Sequence, residues 1–235
     1  MNETADRRPP RGRWLIWIVL LSWSVPGPAY VADDGWKLAS RKNADPLVYT
    51  KAIEGQPIKA VKAVTTLDVP IKTLLTVLAD AELVPEWIPV IGNAELLQDT
   101  DPNGVSITYM VTKFPWPIKD RDAVIRTVTE YERNSNTVTM ESSGLPGYVE
   151  EKRGTIRTPT TYTKWTIHPV EDGKLHVEII THSDPRGFFP RWLMNMIVKR
   201  TPKTMFSRLV KTIGVEEERN RPFDEIHVFG KKVGL

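Results

Sequence analysis

The 235-residue sequence contains no cysteine and only four histidines. Without cysteine there is no disulfide, no thiolate zinc site, no iron–sulfur cluster and no cysteine nucleophile. The histidines are His168, His176, His182 and His227, and none stands at metal-ligand spacing from another or from an acid. His176 and His182, six residues apart on one expected strand, share a face but lie ~20 Å apart. There is no G-x-S-x-G elbow, no phosphate-binding glycine loop and no dinucleotide fingerprint. No metal, cofactor or catalytic residue is assigned. These absences favour a binder over an enzyme. A membrane-length apolar run is missing too. Trp14–Val25 is twelve residues long before Pro26, Gly27 and Pro28 break it. As a helix it reaches ~18 Å of a ~30 Å hydrocarbon core.

Arg7, Arg8, Arg11 and Arg13 precede that run, and the small residues Gly27-Pro28-Ala29 follow it. A basic start, a short apolar run and a small-residue exit form a secretory signal, with cleavage after Ala29 or Ala32. The alternative is an uncleaved anchor made by residues 14–25. The formal charge of +3 shrinks with the leader, because removing residues 1–29 leaves 28 basic and 27 acidic residues. An exported chain without cysteine fits a bacterial periplasm. The remaining length suits one domain. We place the signal at 1–29, the domain at 30–214 and a C-terminal extension at 215–235.

A short helix is expected around Trp36-Lys37-Leu38-Ala39. Strand patterns follow at Leu47–Ile53 and Ile58–Leu67, separated by the turn Glu54-Gly55-Gln56-Pro57. Asp68-Val69-Pro70 opens a helix whose apolar face is Ile71, Leu74, Leu75 and Leu78. A short helical segment, Ala81–Ile88, carries Trp87. Seven strand patterns then alternate with turns: Glu95–Gln98, Ser106–Lys113, Ala123–Tyr131, Thr137–Glu141, Val149–Arg157, Tyr162–His168 and Leu175–His182. Together they predict an antiparallel meander. Pro190–Ile213 reads as a closing helix, kinked or split at Pro202. The tail from Glu216 to Leu235 has no readable pattern. Such an order describes an α+β domain. A sheet that curls around one long helix leaves a cavity between them.

Two stretches carry the most information. Tyr109-Met110-Val111-Thr112-Lys113-Phe114-Pro115-Trp116-Pro117-Ile118-Lys119-Asp120-Arg121-Asp122 runs a strand into an aromatic-proline corner and out through an Arg-Asp pair. Asp184-Pro185-Arg186-Gly187-Phe188-Phe189-Pro190-Arg191-Trp192-Leu193 joins the last strand to the closing helix. With Trp36, Trp87 and Trp165 in order around them, these stretches resemble the START domain, a family of lipid-binding and lipid-transfer proteins. The resemblance covers roughly residues 36–213. It implies a helix-grip fold, a curved antiparallel sheet wrapped around a long C-terminal helix. It also implies an internal cavity for one sterol, phospholipid or similar lipid.

Strand alternation places Arg121, Ala123, Ile125, Thr127 and Thr129 on one face, taken as the inner one. A buried guanidinium needs a partner, since an unpaired charge costs several kcal/mol. The resemblance implies an acid on the preceding strand, but the matching residue is Val111. That leaves a ligand role for Arg121, or a structural salt bridge to Asp122 or another acid. The ligand-binding candidates are Arg121, Tyr109, Val111, Trp116, Ile125, Trp165, Ile179, and, on the closing helix, Trp192 and Met196. For most of them plain core packing competes with ligand contact.

Between Asp184 and Glu216 lie Arg186, Arg191, Lys199, Arg200, Lys203, Arg208 and Lys211 with no acid between them. Basic residues against Trp, Leu, Met and Ile suit an anionic membrane surface, and a solvated helix face accounts for them equally. The expected partners are therefore a lipid ligand and a membrane surface, with the protein a monomer. Nucleic acid is not expected, for want of a stacking platform. Two rival functions stand beside the lipid carrier. One is a cyclase-type enzyme on the same fold, using Arg121, Tyr109 and His182. The other is a membrane-tethered lipid sensor.

Overall fold

The computed structural model describes residues 35–55, 58–187, 190, 193, 197, 198 and 200–235. The leader, Trp192 and Met196 lie outside the described residues. The strands are β1 (Lys37–Leu38), β2 (Leu47–Lys51), β3 (Ala60–Leu67), β4 (Ile91–Gln98), β5 (Val105–Thr112), β6 (Asp120–Glu132), β7 (Thr137–Gly144), β8 (Thr155–Arg157), β9 (Thr160–Pro169) and β10 (Leu175–Asp184). The helices are α1 (Ile71–Ala79), α2 (Val84–Trp87), α3 (Thr201–Glu218) and α4 (Glu225–Phe229), with a 3₁₀ turn at Ala81–Leu83 before α2.

The sheet order is β1-β2-β3-β10-β9-β7-β6-β5-β4, with β8 added in parallel to β6 and every other pairing antiparallel. The meander is closed by β3 pairing with β10, so the first strands sit beside the last. This is the helix-grip fold: a curved antiparallel sheet with the C-terminal helix in its grip. Alternation sends Val177 and Ile179 of β10, Trp165 and Ile167 of β9, and Val138 and Met140 of β7 into one core. Helix α3 answers with Met205, Phe206, Leu209 and Ile213, spaced at three and four. Pro70 stands at the N-cap of α1, which buries Leu74 and Leu75 completely. An aromatic chain ties helix to sheet: Trp87 meets Trp165 edge-on at 5.9 Å, and Trp165 meets Phe206 at 6.1 Å.

Two local expectations are corrected. Trp36–Ala39 is not helical: Lys37 and Leu38 form β1 against Thr50 and Tyr49, and the Trp36 ring receives the Lys62 ammonium at 5.0 Å. Val149–Arg157 is a strand only over its last three residues. The rest follows a turn at Pro146 and covers the outer face of β5 and β6, where Leu145 and Val149 pack on Ile107, Tyr109 and Val124. The closing helix is split at Pro202 as expected: Leu193, Ile197 and Val198 are helical, Arg200 lies in a turn, and Pro202 stands in the first turn of α3, where a missing N–H is harmless.

No break marks the 214/215 boundary. Helix α3 runs through it to Glu218, and Val228 and Phe229 of α4 join the core, 2% and 1% exposed. Arg221 pairs with Asp80 at the end of α1 and lies 3.4 Å from buried Glu216. Thr100 donates to the His227 carbonyl at 2.5 Å. The Glu225 carboxylate accepts from the backbone N–H groups of Val233, Gly234 and Leu235.

Candidate functional site

Two adjoining chambers lie against the concave face of the sheet. The outer chamber has room for about 290 Å³ and the inner one for about 130 Å³. Both are lined by Ile88, Met110, Ile125 and Thr163, so they meet at these four side chains. Together they fall in the size range of small-molecule sites.

The expected inner face of β6 forms the wall. Arg121, Ala123 and Ile125 line the outer chamber, and Ile125, Thr127 and Thr129 line the inner one. Strand β5 contributes the opposite parity from the one expected. Thr108 pairs with Ile125, Met110 with Ala123 and Thr112 with Arg121, so these three residues face the chambers. Tyr109 and Val111 therefore point to the outer face. There Tyr109, 2% exposed, belongs to the small second core with Ile107 and Val124. Burial, then the nearby charge of Asp122, pushes the Tyr109 phenol up to about 12. Both are corrected as wall residues. A strand covered on both faces loses the polar alternation that fixes its parity in a sequence.

Trp116 is also corrected: it sits at the corner between β5 and β6 and is 92% exposed. Ile179 points inward but packs in the core between Ala63 and Trp165, and does not line either chamber. Trp165 lines the inner chamber while packing on Trp87 and Phe206. His182 borders the outer chamber, although its register opposite Tyr162 gives it the parity opposite to Thr181 and Ser183. Its Nε2 is buried with no hydrogen-bond partner among the described residues.

Arg121 is 4% exposed, and Asp122 is not its counter-ion. Its Nε donates to the Pro185 carbonyl at 3.0 Å, and its two terminal nitrogens donate to the carbonyls of Arg186, at 2.8 Å, and Lys119. The guanidinium also stacks over Phe114 at 5.5 Å. Burial lowers its pKa, opposed by the charge of Asp120. Arg121 thus locks the Asp184–Gly187 turn to the start of β6. Asp122 faces the other way and pairs with Arg157 at 2.9 Å, both side chains almost wholly buried.

The chambers differ in chemistry. Lys59 and Arg121 line the outer one, whereas the inner one has no charged residue among those described. Hydroxyls line both and pair across strands: Thr163 with Thr181 at 3.0 Å, Thr161 with Ser183 at 3.0 Å, and Thr127 with Ser142 at 2.8 Å. The sequence patterns missed Thr108, Met110, Trp87 and Val228 as wall residues. The parity of β5 would have found the first two.

The described residues contain no cluster of histidine and acid that holds a metal, and no helix long and apolar enough to cross a membrane. The START domain family matches residues 28–219. An uncharacterised protein of Pseudomonas aeruginosa is 30% identical over 181 residues, covering 77% of this chain and 86% of that protein. The crystal structure of the STAR-related lipid transfer protein from Xanthomonas axonopodis aligns with a TM-score of 0.68 and 28% identity, over 77% of this chain and 99% of that one. Human STARD10 aligns with a TM-score of 0.68 at 19% identity, over 79% of this chain and 76% of that one, a likeness of fold.

Proposed function

This chain belongs to the START domain family, and on that premise we propose that it holds one hydrophobic lipid and carries it between membranes as a monomer. The observation that carries the proposal is the pair of chambers between sheet and helices. Burying a chain of sixteen methylenes is worth on the order of 13 kcal/mol at about 0.8 kcal/mol each. That rivals what the lipid leaves behind in a bilayer, so transfer needs a dry cavity that opens and no covalent chemistry. Arg121 serves as the clamp on the turn leading to the closing segment rather than as a catalytic group. The exposed Lys203, Arg208 and Lys211 on α3, and Trp116 at the β5–β6 corner, offer a basic and aromatic contact for an anionic bilayer.

The basic start, short apolar run and small-residue exit of residues 1–29 support a leader cleaved near Ala29 and work in a bacterial periplasm. The reading is tested on the mature chain, purified from the periplasm. Native mass spectrometry is expected to show one bound lipid, and fluorescent lipid is expected to move between vesicles on addition of protein. A protein that stays lipid-free and moves nothing overturns it. An intact N-terminus in the membrane fraction would replace the soluble carrier by the tethered form.

A further inference from the structure

Trp87 is 3% exposed and lines the inner chamber, yet its indole N–H has no hydrogen-bond partner among the described residues. A buried donor of this kind is costly unless something accepts from it. Among the described residues, the chamber it lines is walled by hydroxyls and apolar side chains only, Thr108 and Thr129, 8% and 7% exposed, among them, and none of these residues brings a charge into it. Val228 also lines it, supplied by α4, a segment beyond residue 219 where the family match ends.

We propose that the inner chamber is a recognition site for an uncharged oxygen, a hydroxyl or carbonyl, at the leading end of the ligand, which accepts from Trp87 Nε1–H. This inference rests on the reading that the cavity holds a lipid, and it adds which end enters first and what that end must be. A phosphate or carboxylate in this space has no counter-charge, and burying it unpaired costs far more than one hydrogen bond returns. A plain methyl end leaves the indole donor unsatisfied. A neutral oxygen meets both demands. Charged groups remain with the outer chamber, where Lys59 and Arg121 lie.

The test uses the mature protein with 1-dodecanol and dodecyl phosphate, chains of one length with a neutral or a charged end. Trp87→Phe keeps the ring and removes the donor. It is expected to weaken 1-dodecanol about tenfold, the worth of one neutral hydrogen bond, and to leave dodecyl phosphate unchanged. In the wild type, the Trp87 indole ¹⁵N–¹H resonance, assigned through its contacts to Trp165, is expected to move downfield with 1-dodecanol alone. That spectrum decides the matter even if the variant does not fold. Equal effects on both ligands, or an unmoved indole resonance with 1-dodecanol bound, overturn the inference while leaving the carrier reading intact. Failure of the wild type to bind either ligand or any membrane lipid overturns both.

Discussion

Arg157 places all five of its N–H donors inside the protein, and the carboxylate it meets is that of Asp122, on the neighbouring strand. Nε and one terminal nitrogen bond Asp122 Oδ2 at 3.1 and 2.9 Å. The remaining donors hold the carbonyls of Pro146, Val149 and Glu150. One ion pair thereby staples the 145–150 loop over the second core. Removing one partner of such a pair strands the other charge. Asp122→Asn and Arg157→Met are each expected to lose about 3–5 kcal/mol in urea unfolding. Arg157→Lys, with three donors for five acceptor contacts, is expected to recover little of it.

Arg121 shares the strand but not the role. Arg121→Met leaves up to three carbonyls without their donor, at about 1–3 kcal/mol for each that stays dry. The expected result is faster hydrogen exchange across 184–187 and faster release of bound lipid, with no change in which lipid is bound. A changed lipid preference with unchanged exchange would give Arg121 a ligand role instead.

Membrane contact through α3 is a matter of charge. Each basic residue near an anionic surface is worth about 1 kcal/mol, so replacing Lys203, Arg208 and Lys211 by glutamine is expected to weaken binding to phosphatidylglycerol vesicles about a hundredfold at low salt. Trp116→Ala is expected to weaken it further without lowering the melting temperature, because the ring is 92% exposed. Vesicle co-sedimentation across a salt series checks both.

His168 and His176 stack on adjacent strands with ring centroids 4.7 Å apart. Burial, then the neighbouring His168, lowers the His176 pKa below 6.5, opposed by Glu178. The unfolded chain therefore takes up this proton first as pH falls. Stability from this group is complete above the ordinary histidine value, declines as pH drops below it, and levels off beneath the folded pKa. Melting temperatures from about pH 7.5 to about pH 5 are expected to fall less in His176→Gln than in the wild type.

Gly230 ends α4 at φ +71°, and a Cβ there would stand 1.6 Å from the Asp101 carbonyl oxygen. Neither a side chain nor a backbone shift of that size fits the turn. Gly230→Ala is expected to lift α4 off the β4–β5 turn, with added hydrogen exchange at Val228 and Phe229 and a lower melting temperature.

Most of the architecture was legible in the sequence because period-two strands and a helix with apolar residues at three and four leave strong marks. The inner face of β6 could be read for the same reason: Arg121 to Thr129 alternates cleanly. Strand β5 could not, since Val105, Ile107, Thr108 and Tyr109 are all buried and both faces look alike. The partner of Arg157 was hidden by distance along the chain, 35 residues from Asp122. Helix α4 was hidden by its brevity: five residues held by the Asp224 cap, Glu225 and long-range packing carry no periodic signal.

The part of the inner chamber's wall that Val228 provides comes from α4, which is held in place by a hydrogen bond from Thr100 to the His227 carbonyl across 127 residues of sequence, so this side of the cavity closes only through long-range packing. A tag fused to Leu235 extends from the very backbone that Glu225 gathers in, so purification handles belong at the other end of the mature chain.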